Sequence, residues 1–183
     1  MKIVNNAVHP VLFQRIKSEI ISNRFSWAHG LTTDDEESLF GNSFSNNIFV
    51  DDGTMQHEVR PISYLCNMAL AMVCYDIGID LDKVLRIRAG LITVTEHTYY
   101  HSPHVDYLGQ HYTAILYLNK CNGITQFYNE LYNGNIPKNL TIKDEIIPED
   151  NKFVIFDGCR YHNSSTPTDV SARYAINFNF ITK

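Results

Sequence analysis

Two histidines and one aspartate stand out by type and spacing. His104-Val105-Asp106 lies just ahead of the apolar run Tyr112–Leu118, and His162 follows Asp106 by 56 residues. In an extended chain, residues two apart project to the same side, so His104 and Asp106 can meet one metal ion. A lone His-x-Asp triplet carries little by itself, since a chain with eight histidines produces one readily by chance. His162 changes its meaning. It follows the run Lys152–Phe156 and an Asp157-Gly158 turn, where an adjacent strand of a β-barrel would return to the same end. Two imidazoles and a carboxylate would then occupy one face of a metal and leave three positions open. That suits non-haem Fe(II), which must hold a chelating cosubstrate and O2 together. Catalytic zinc sites with two histidines and a carboxylate usually leave a single water position.

Arg173 comes eleven residues after His162 and opens the last apolar stretch, Arg173–Ile181. Alternation there puts Tyr174, Ile176, Phe178 and Phe180 on one face, and Arg173, Ala175, Asn177 and Asn179 on the other. A barrel lined by the second, small and polar face has room for a ligand, and an arginine on its wall suits a carboxylate held by two hydrogen bonds. The plainer reading is a surface arginine on an edge strand. On Tyr112–Leu118 the same alternation groups Thr113, Ile115 and Tyr117. Tyr117 is then either a core tyrosine bonded to backbone or a second donor to the carboxylate that Arg173 holds. Arg160 is the rival for that carboxylate, but on a strand it shares a face with His162, too close to the metal for the far end of a five-carbon diacid. His97, His101 and His111 flank the motif without an i, i+2 carboxylate and read as loop or supporting groups.

These residues need a scaffold. A helix is expected after Pro10, with Val11, Leu12, Ile16, Ile20 and Ile21 at helical spacing. A second, largely buried one is expected over Ile62–Ile77, where Leu65, Met68, Ala69, Met72, Val73 and Tyr75 leave little polar surface. Between them, Ser26–Met55 is rich in Asn, Ser, Gly and Asp and reads as a long irregular loop, a candidate lid whose Trp27, Phe40, Phe44 and Phe49 could line a groove. Its acidic run Asp34–Glu37 reads as solvated loop. From Leu85 onward the texture turns to strands: Arg86–Thr95, Tyr112–Leu118, Ile124–Tyr128, Lys152–Phe156 and Arg173–Ile181. Asn122-Gly123 signals a tight hairpin between the second and third. Strands without intervening helices exclude a parallel βαβ sheet. The fold expected is mainly β, a double-stranded β-helix (jelly roll) buttressed by the N-terminal helices. It forms a single domain over 1–183, with helical support and lid loop in 1–84 and the jelly-roll core in 85–183.

The chain of 183 residues is 44% hydrophobic and 19% charged, which excludes extensive disorder and fits one sizeable core. A net charge of −5 without a basic run argues against nucleic-acid binding through the phosphate backbone. No stretch approaches the roughly 18 apolar residues of a membrane span, and the first residues lack the apolar core of a secretory signal, so a cytoplasmic location is expected. Cys66, Cys74, Cys121 and Cys159 show no CxxC spacing and read as reduced, mostly buried thiols.

His104-Val105-Asp106, TAILYLN at 113–119, Gly123-x-Thr125-x-Phe127, FDGCRYHNSSTP at 156–167 and SARYAI at 171–176 together resemble the Fe(II)/2-oxoglutarate-dependent oxygenases. Within them the likeness is to small bacterial or phage-type members of the prolyl 4-hydroxylase-like branch, and it covers about 86–181. The resemblance implies that His104, Asp106 and His162 bind iron. It also implies that Arg173 pairs with the distal carboxylate of 2-oxoglutarate while Tyr117 donates to it. O2 and, as reductant, ascorbate complete the implied set. The implied reaction hydroxylates an unactivated C–H bond with release of succinate and CO2. Asp106 argues for hydroxylation, because halogenating relatives replace this carboxylate with a small residue. The implied substrate is a prolyl or other amino-acid residue of a peptide or protein, with a small molecule or a nucleic acid as alternatives. Demethylating relatives carry a second arginine six residues after the cosubstrate arginine, where this chain has Asn179. Many members also have a tyrosine about ten residues before the first ligand histidine; here that position is near Val94. A non-catalytic jelly-roll module binding a metal or ligand is the alternative outside enzymes.

Overall fold

The protein is described by a computed structural model covering residues 1–30, 43–51, 61–135 and 137–183. In chain order the elements are β1 (Lys2–Val4), α1 (Pro10–Ile20), β2 (Ala28–Gly30), β3 (Ser43–Val50), α2 (Pro61–Asp76), β4 (Leu81–Thr93) and β5 (Tyr112–Tyr117). They continue with β6 (Thr125–Leu131), β7 (Ile142–Ile146), β8 (Lys152–Asp157), β9 (Arg160–Ser164) and β10 (Ala172–Thr182). The strands form two antiparallel sheets, a larger one ordered β1-β8-β5-β10-β4-β3-β2 and a smaller one ordered β7-β6-β9. This is the expected jelly-roll arrangement.

Strand alternation sorts the side chains into two cores. Ala114, Leu116 and Leu118 after β5, Ile176, Phe178 and Phe180 on β10, Phe153 and Ile155 on β8, and Ile87 and Ala89 on β4 share one core with both helices. The other rows of the same strands, Ile115 and Tyr117, Ala175, Val154 and Phe156, meet Phe127 and Ile146 of the smaller sheet. The central strands are therefore buried on both faces, and their inner face carries the polar residues of the site.

Two sequence expectations give way. Ser26–Met55 is not a loop throughout: β2 and β3 lie in it, and Phe44 and Asn46 of β3 pair with Leu91 and Ala89 of β4. A strand of SFSNNIFV escapes pattern reading because only Ser43 and Ile48 are buried; it is recruited by the free edge of β4. Phe40, Asp34–Glu37 and the rest of the expected lid at 31–42 and 52–55 lie outside the described residues. No hairpin forms at Asn122-Gly123. β5 and β6 belong to different sheets, and the segment between them crosses over to cover the inner face of β5. Two strands outside the expected set, β7 (IKDEI) and β9 (RYHNS), are too polar to show a hydrophobic period.

The helices occupy the expected spans with different faces inward. α1 buries Phe13, Ile16 and Ile20, leaving Val11 exposed. α2 buries Ile62, Cys66, Ala69, Leu70, Val73 and Cys74, whereas Tyr64, Met68, Met72 and Tyr75 face outward. It covers the sheet with one side only. The four cysteines are free and buried, and burial pushes the Cys66 thiol up to about 12 and the Cys74 thiol up to about 11. Among the described residues no helix is long and apolar enough to cross a membrane.

Candidate active site

The two histidines of the motif are brought together by backbone. His104 N–H donates to the His162 carbonyl (2.9 Å) and His162 N–H to the His104 carbonyl (3.0 Å), an isolated antiparallel bridge. Residues directly opposite on such a pair project to the same side, and the two rings stand 4.7 Å apart. Asp106, two residues on, joins them, so that ligand atoms from His104, Asp106 and His162 all lie within 4.8 Å of one another.

The hydrogen bonds around these groups suit a cation. Nδ1 of His104 lies 3.1 Å from the Ser102 carbonyl, and Nδ1 of His162 lies 3.1 Å from the Arg160 carbonyl. A carbonyl can only accept, so both Nδ1 atoms carry the proton and each Nε2 presents a lone pair. The Nε2 of His162 is buried without a partner, which an ion would supply. Burial, reinforced by His104, holds the His162 imidazole down at about 4 and so neutral at pH 7. Burial would raise the Asp106 carboxyl, but His162, Arg86 and His104 together with the Asn179 hydrogen bond outweigh it, and it sits at about 2. Two imidazoles and one carboxylate match the donor set of non-haem iron.

Asp106 is held from behind at both oxygens. Arg86 Nη2 donates to Oδ1 (2.9 Å) and Asn179 Nδ2 to Oδ2 (2.9 Å). Arg86 Nε also donates to Asn179 Oδ1 (3.0 Å), and Asn179 reaches Thr113 Oγ1 (3.0 Å). The polar face of β10 foreshadows Asn179. Arg86 and Arg88, alternating with buried Ile87 and Ala89 on β4, are a signal that strand alternation would have found.

Arg173 lines the same cleft as the cluster, with Ile115, Thr125, His101, Ala175 and Asn177. Its guanidinium is seated on the crossover: Nε donates to the Gly123 carbonyl (3.0 Å) and Nη2 to Thr125 Oγ1 (2.8 Å). Gly123 is required there, since a Cβ would come within 2.8 Å of the Ser165 carbonyl oxygen and 3.2 Å of Arg173 Cδ. Tyr117 lies beneath, fully buried. The Arg173 guanidinium stands 5.5 Å from the centre of its ring, and its hydroxyl is donated to Thr125 Oγ1 (2.8 Å). The edge-strand reading of Arg173 fails, because β10 lies between β4 and β5 at the centre of the sheet. Arg160 turns to the smaller sheet, where Nη1 donates to the Tyr128 and Asn129 carbonyls at 2.6 and 3.2 Å.

Of the flanking histidines, His97 is exposed and His111 packs against Gly158 outside the cleft. His101 lines the cleft. Its Nδ1 meets Ser164 Oγ (2.9 Å), and its Nε2 is buried and unpartnered. Burial, with Arg173 and His104 close by, holds it down at about 4. Sequence reasoning missed His101 as a cleft residue because nothing local marks it. The free space between the described residues is about 130 Å³, below the roughly 300–1,000 Å³ of ordinary ligand pockets.

No family model and no curated protein matches the sequence. Solved structures do match. A prolyl hydroxylase from Trichoplax adhaerens, in complex with a peptide fragment of the hypoxia inducible factor oxygen degradation domain, is 14% identical with a TM-score of 0.62, the match covering 98% of this chain and 82% of that one. A 2OG-Fe(II) oxygenase family oxidoreductase from Burkholderia pseudomallei is 13% identical with a TM-score of 0.67, over 97% and 82% of the two chains. A prolyl-4-hydroxylase from Pseudomonas putida is 13% identical with a TM-score of 0.62, over 100% and 92%. At these identities the likeness establishes the fold: the chain folds as the 2-oxoglutarate- and iron-dependent oxygenases do.

Proposed function

We propose that the protein is an Fe(II)- and 2-oxoglutarate-dependent dioxygenase that hydroxylates an unactivated C–H bond, of a prolyl or other amino-acid residue in a peptide. The observation that carries this reading is the convergence of His104, Asp106 and His162 in one cleft with a buried arginine, Arg173. Iron bound to the three would supply O2 activation coupled to decarboxylation of 2-oxoglutarate, so that one oxygen atom enters the substrate as hydroxyl, the other enters succinate, and CO2 leaves.

The chain's own groups then have distinct tasks. Both Nε2 atoms and the Asp106 carboxylate hold the ion, and the Ser102 and Arg160 carbonyls keep each ring in the required tautomer. Arg86 and Asn179 fix the rotation of the Asp106 carboxylate. Arg173 binds the distal carboxylate of the cosubstrate; Gly123 and Thr125 hold the guanidinium in place, and Tyr117 supports Thr125 from below. His101 takes the place of the tyrosine that many relatives supply before the first histidine: Ser164 fixes the ring through Nδ1, and Nε2, without a protein partner, faces the cosubstrate. The small free volume suits a short diacid at depth, leaving the primary substrate at the mouth. The reduced, buried cysteines fit a cytoplasmic setting.

The test incubates the protein with Fe(II), ascorbate, 2-oxoglutarate and O2, and with proline-containing peptides, free amino acids or nucleosides in parallel. Succinate formation coupled to a mass gain of one oxygen on a peptide is expected. No succinate under any condition would sink the oxygenase reading. Turnover of a free amino acid or nucleoside without peptide turnover would sink only the substrate assignment.

A further inference from the structure

The cleft contains a second arginine that neither metal nor cosubstrate needs. β4 turns Arg86, Arg88, Gly90 and Ile92 inward. Arg86 is spent on Asp106. Among the described residues Arg88, half-buried, makes one side-chain hydrogen bond, from Nη2 to Ser45 Oγ (2.9 Å), and no carboxylate pairs with it. The nearby acid, Asp106, already has Oδ1 and Oδ2 occupied by Arg86 and Asn179. Burial and the adjacent Arg86 both lower the proton affinity of Arg88, against a smaller opposing effect of Asp106. A guanidinium keeps its charge regardless, so this one is partly desolvated and under-compensated, a state that favours an incoming anion.

Arg88 also serves a different ligand from Arg173. Along the paired strands Arg88 lies opposite Asn177, Gly90 opposite Ala175 and Ile92 opposite Arg173. Four residues of strand separate the two arginines, about 13 Å of backbone, with Gly90 between them leaving space: a Cβ there would meet only the Ala175 carbonyl oxygen, at 3.9 Å. Arg88 thus stands four strand residues away from the carboxylate that Arg173 would hold. Ser45 and Asn177 line the cleft beside it. A planar guanidinium flanked by a hydroxyl and an amide matches the two-oxygen, planar acceptor of a carboxylate.

From this, and resting on the oxygenase reading, we infer that the primary substrate carries a carboxylate close to the carbon that is hydroxylated, and that Arg88, with Ser45 and Asn177, binds it. The carboxylate can come from an acidic side chain beside the target residue or from a free C-terminus at it.

The test is a binding measurement on protein loaded with Mn(II) and 2-oxoglutarate, without turnover. The probes are N-acetylated, C-amidated tetrapeptides with Glu or Gln next to proline, and an N-acetylated peptide ending in proline as free acid or as amide. Adenosine monophosphate tests phosphate. At least one carboxylate probe should bind about ten- to hundredfold more tightly than its neutral counterpart, the range expected of a charge-assisted contact. The pair that shows the difference identifies the source. Arg88→Gln should abolish the difference and Arg88→Lys retain part of it, with calorimetric titration of Mn(II) and 2-oxoglutarate reporting whether each variant is folded. Equal binding of charged and neutral probes, no binding of any carboxylate probe, preference for the nucleotide, or a preference that survives Arg88→Gln would each overturn the inference. Loss of the oxygenase reading looks different: wild-type protein would then take up neither Mn(II) nor 2-oxoglutarate.

Discussion

Thr125→Val probes the seat of Arg173 with little change of shape. The Thr125 side chain is 1% exposed, and its Oγ1 accepts both the Arg173 Nη2 and Tyr117 hydroxyl bonds at 2.8 Å. Valine preserves the β-branch and the volume, so packing against Ile146 and Ser164 opposite survives. What is lost is one acceptor for two donors, of which the Tyr117 hydroxyl is fully buried. An unsatisfied buried neutral donor costs about 1–3 kcal/mol, and a bond to a charged group is worth about 1.5–3 kcal/mol. Arg173 keeps its second bond, to Gly123, which favours the lower half of that range for the charged donor. The expected loss is roughly 3–5 kcal/mol, equivalent to a fall in Tm on the order of 10 °C for a chain of this size. Urea unfolding of the metal-free protein measures it, alongside Thr125→Ser, Tyr117→Phe and the Thr125→Val/Tyr117→Phe double variant. Serine keeps the acceptor and should lose only about 1 kcal/mol for the methyl. Tyr117→Phe should cost about 1 kcal/mol alone but be neutral or stabilising on top of Thr125→Val, because it removes the donor left without a partner. Strict additivity of the two changes, or a Thr125→Val loss below about 0.5 kcal/mol, would refute the shared-acceptor account.

Three further outcomes are expected. Mn(II) titration should show binding lost or severely weakened in His104→Ala, Asp106→Ala and His162→Ala, since each would remove one of the three proposed protein ligands; unchanged affinity in the His162 variant would take His162 out of the set. Arg173→Ala should weaken 2-oxoglutarate binding on the order of a hundredfold, whereas Arg160→Ala, whose guanidinium serves the β6 carbonyls, should leave it nearly unchanged; equal losses in a calorimetric titration would reverse the assignment. The metal-free protein should lose stability on mild acidification: His101 and His162 are held at about 4 in the folded chain against an ordinary 6.5, so only the unfolded chain takes up these protons between the two values. Their contribution is complete above about 6.5, falls away as pH drops toward 4 by up to about 3 kcal/mol each, and should be protected by Mn(II); a flat stability profile over that window would count against both burials.

What sequence alone determines here is whatever strand alternation can carry. The division of β5 into an Ile115/Tyr117 row and an Ala114/Leu116/Leu118 row, and of β10 into an Arg173/Asn177/Asn179 row and an aromatic row, is legible because side chains alternate with a period of two and both rows are occupied in a fixed way. The same rule puts His104 and Asp106 side by side. Local pattern could not reach the pairings that join distant segments. Ser43–Val50 becomes a strand only because β4 offers it an edge, and the Asn122-Gly123 segment becomes a crossover only because the inner face of β5 must be covered by β6. The mutual backbone bonds of His104 and His162, the clasp of Arg86 and Asn179 on Asp106, and the bond from Arg88 to Ser45 all span long stretches of chain. Their geometry follows from strand register across a sheet, which is set by the packing of whole faces. Residue chemistry thus named a candidate ligand set, while sheet topology decided which neighbours surround it and, among the described residues, left Arg88 without a carboxylate partner.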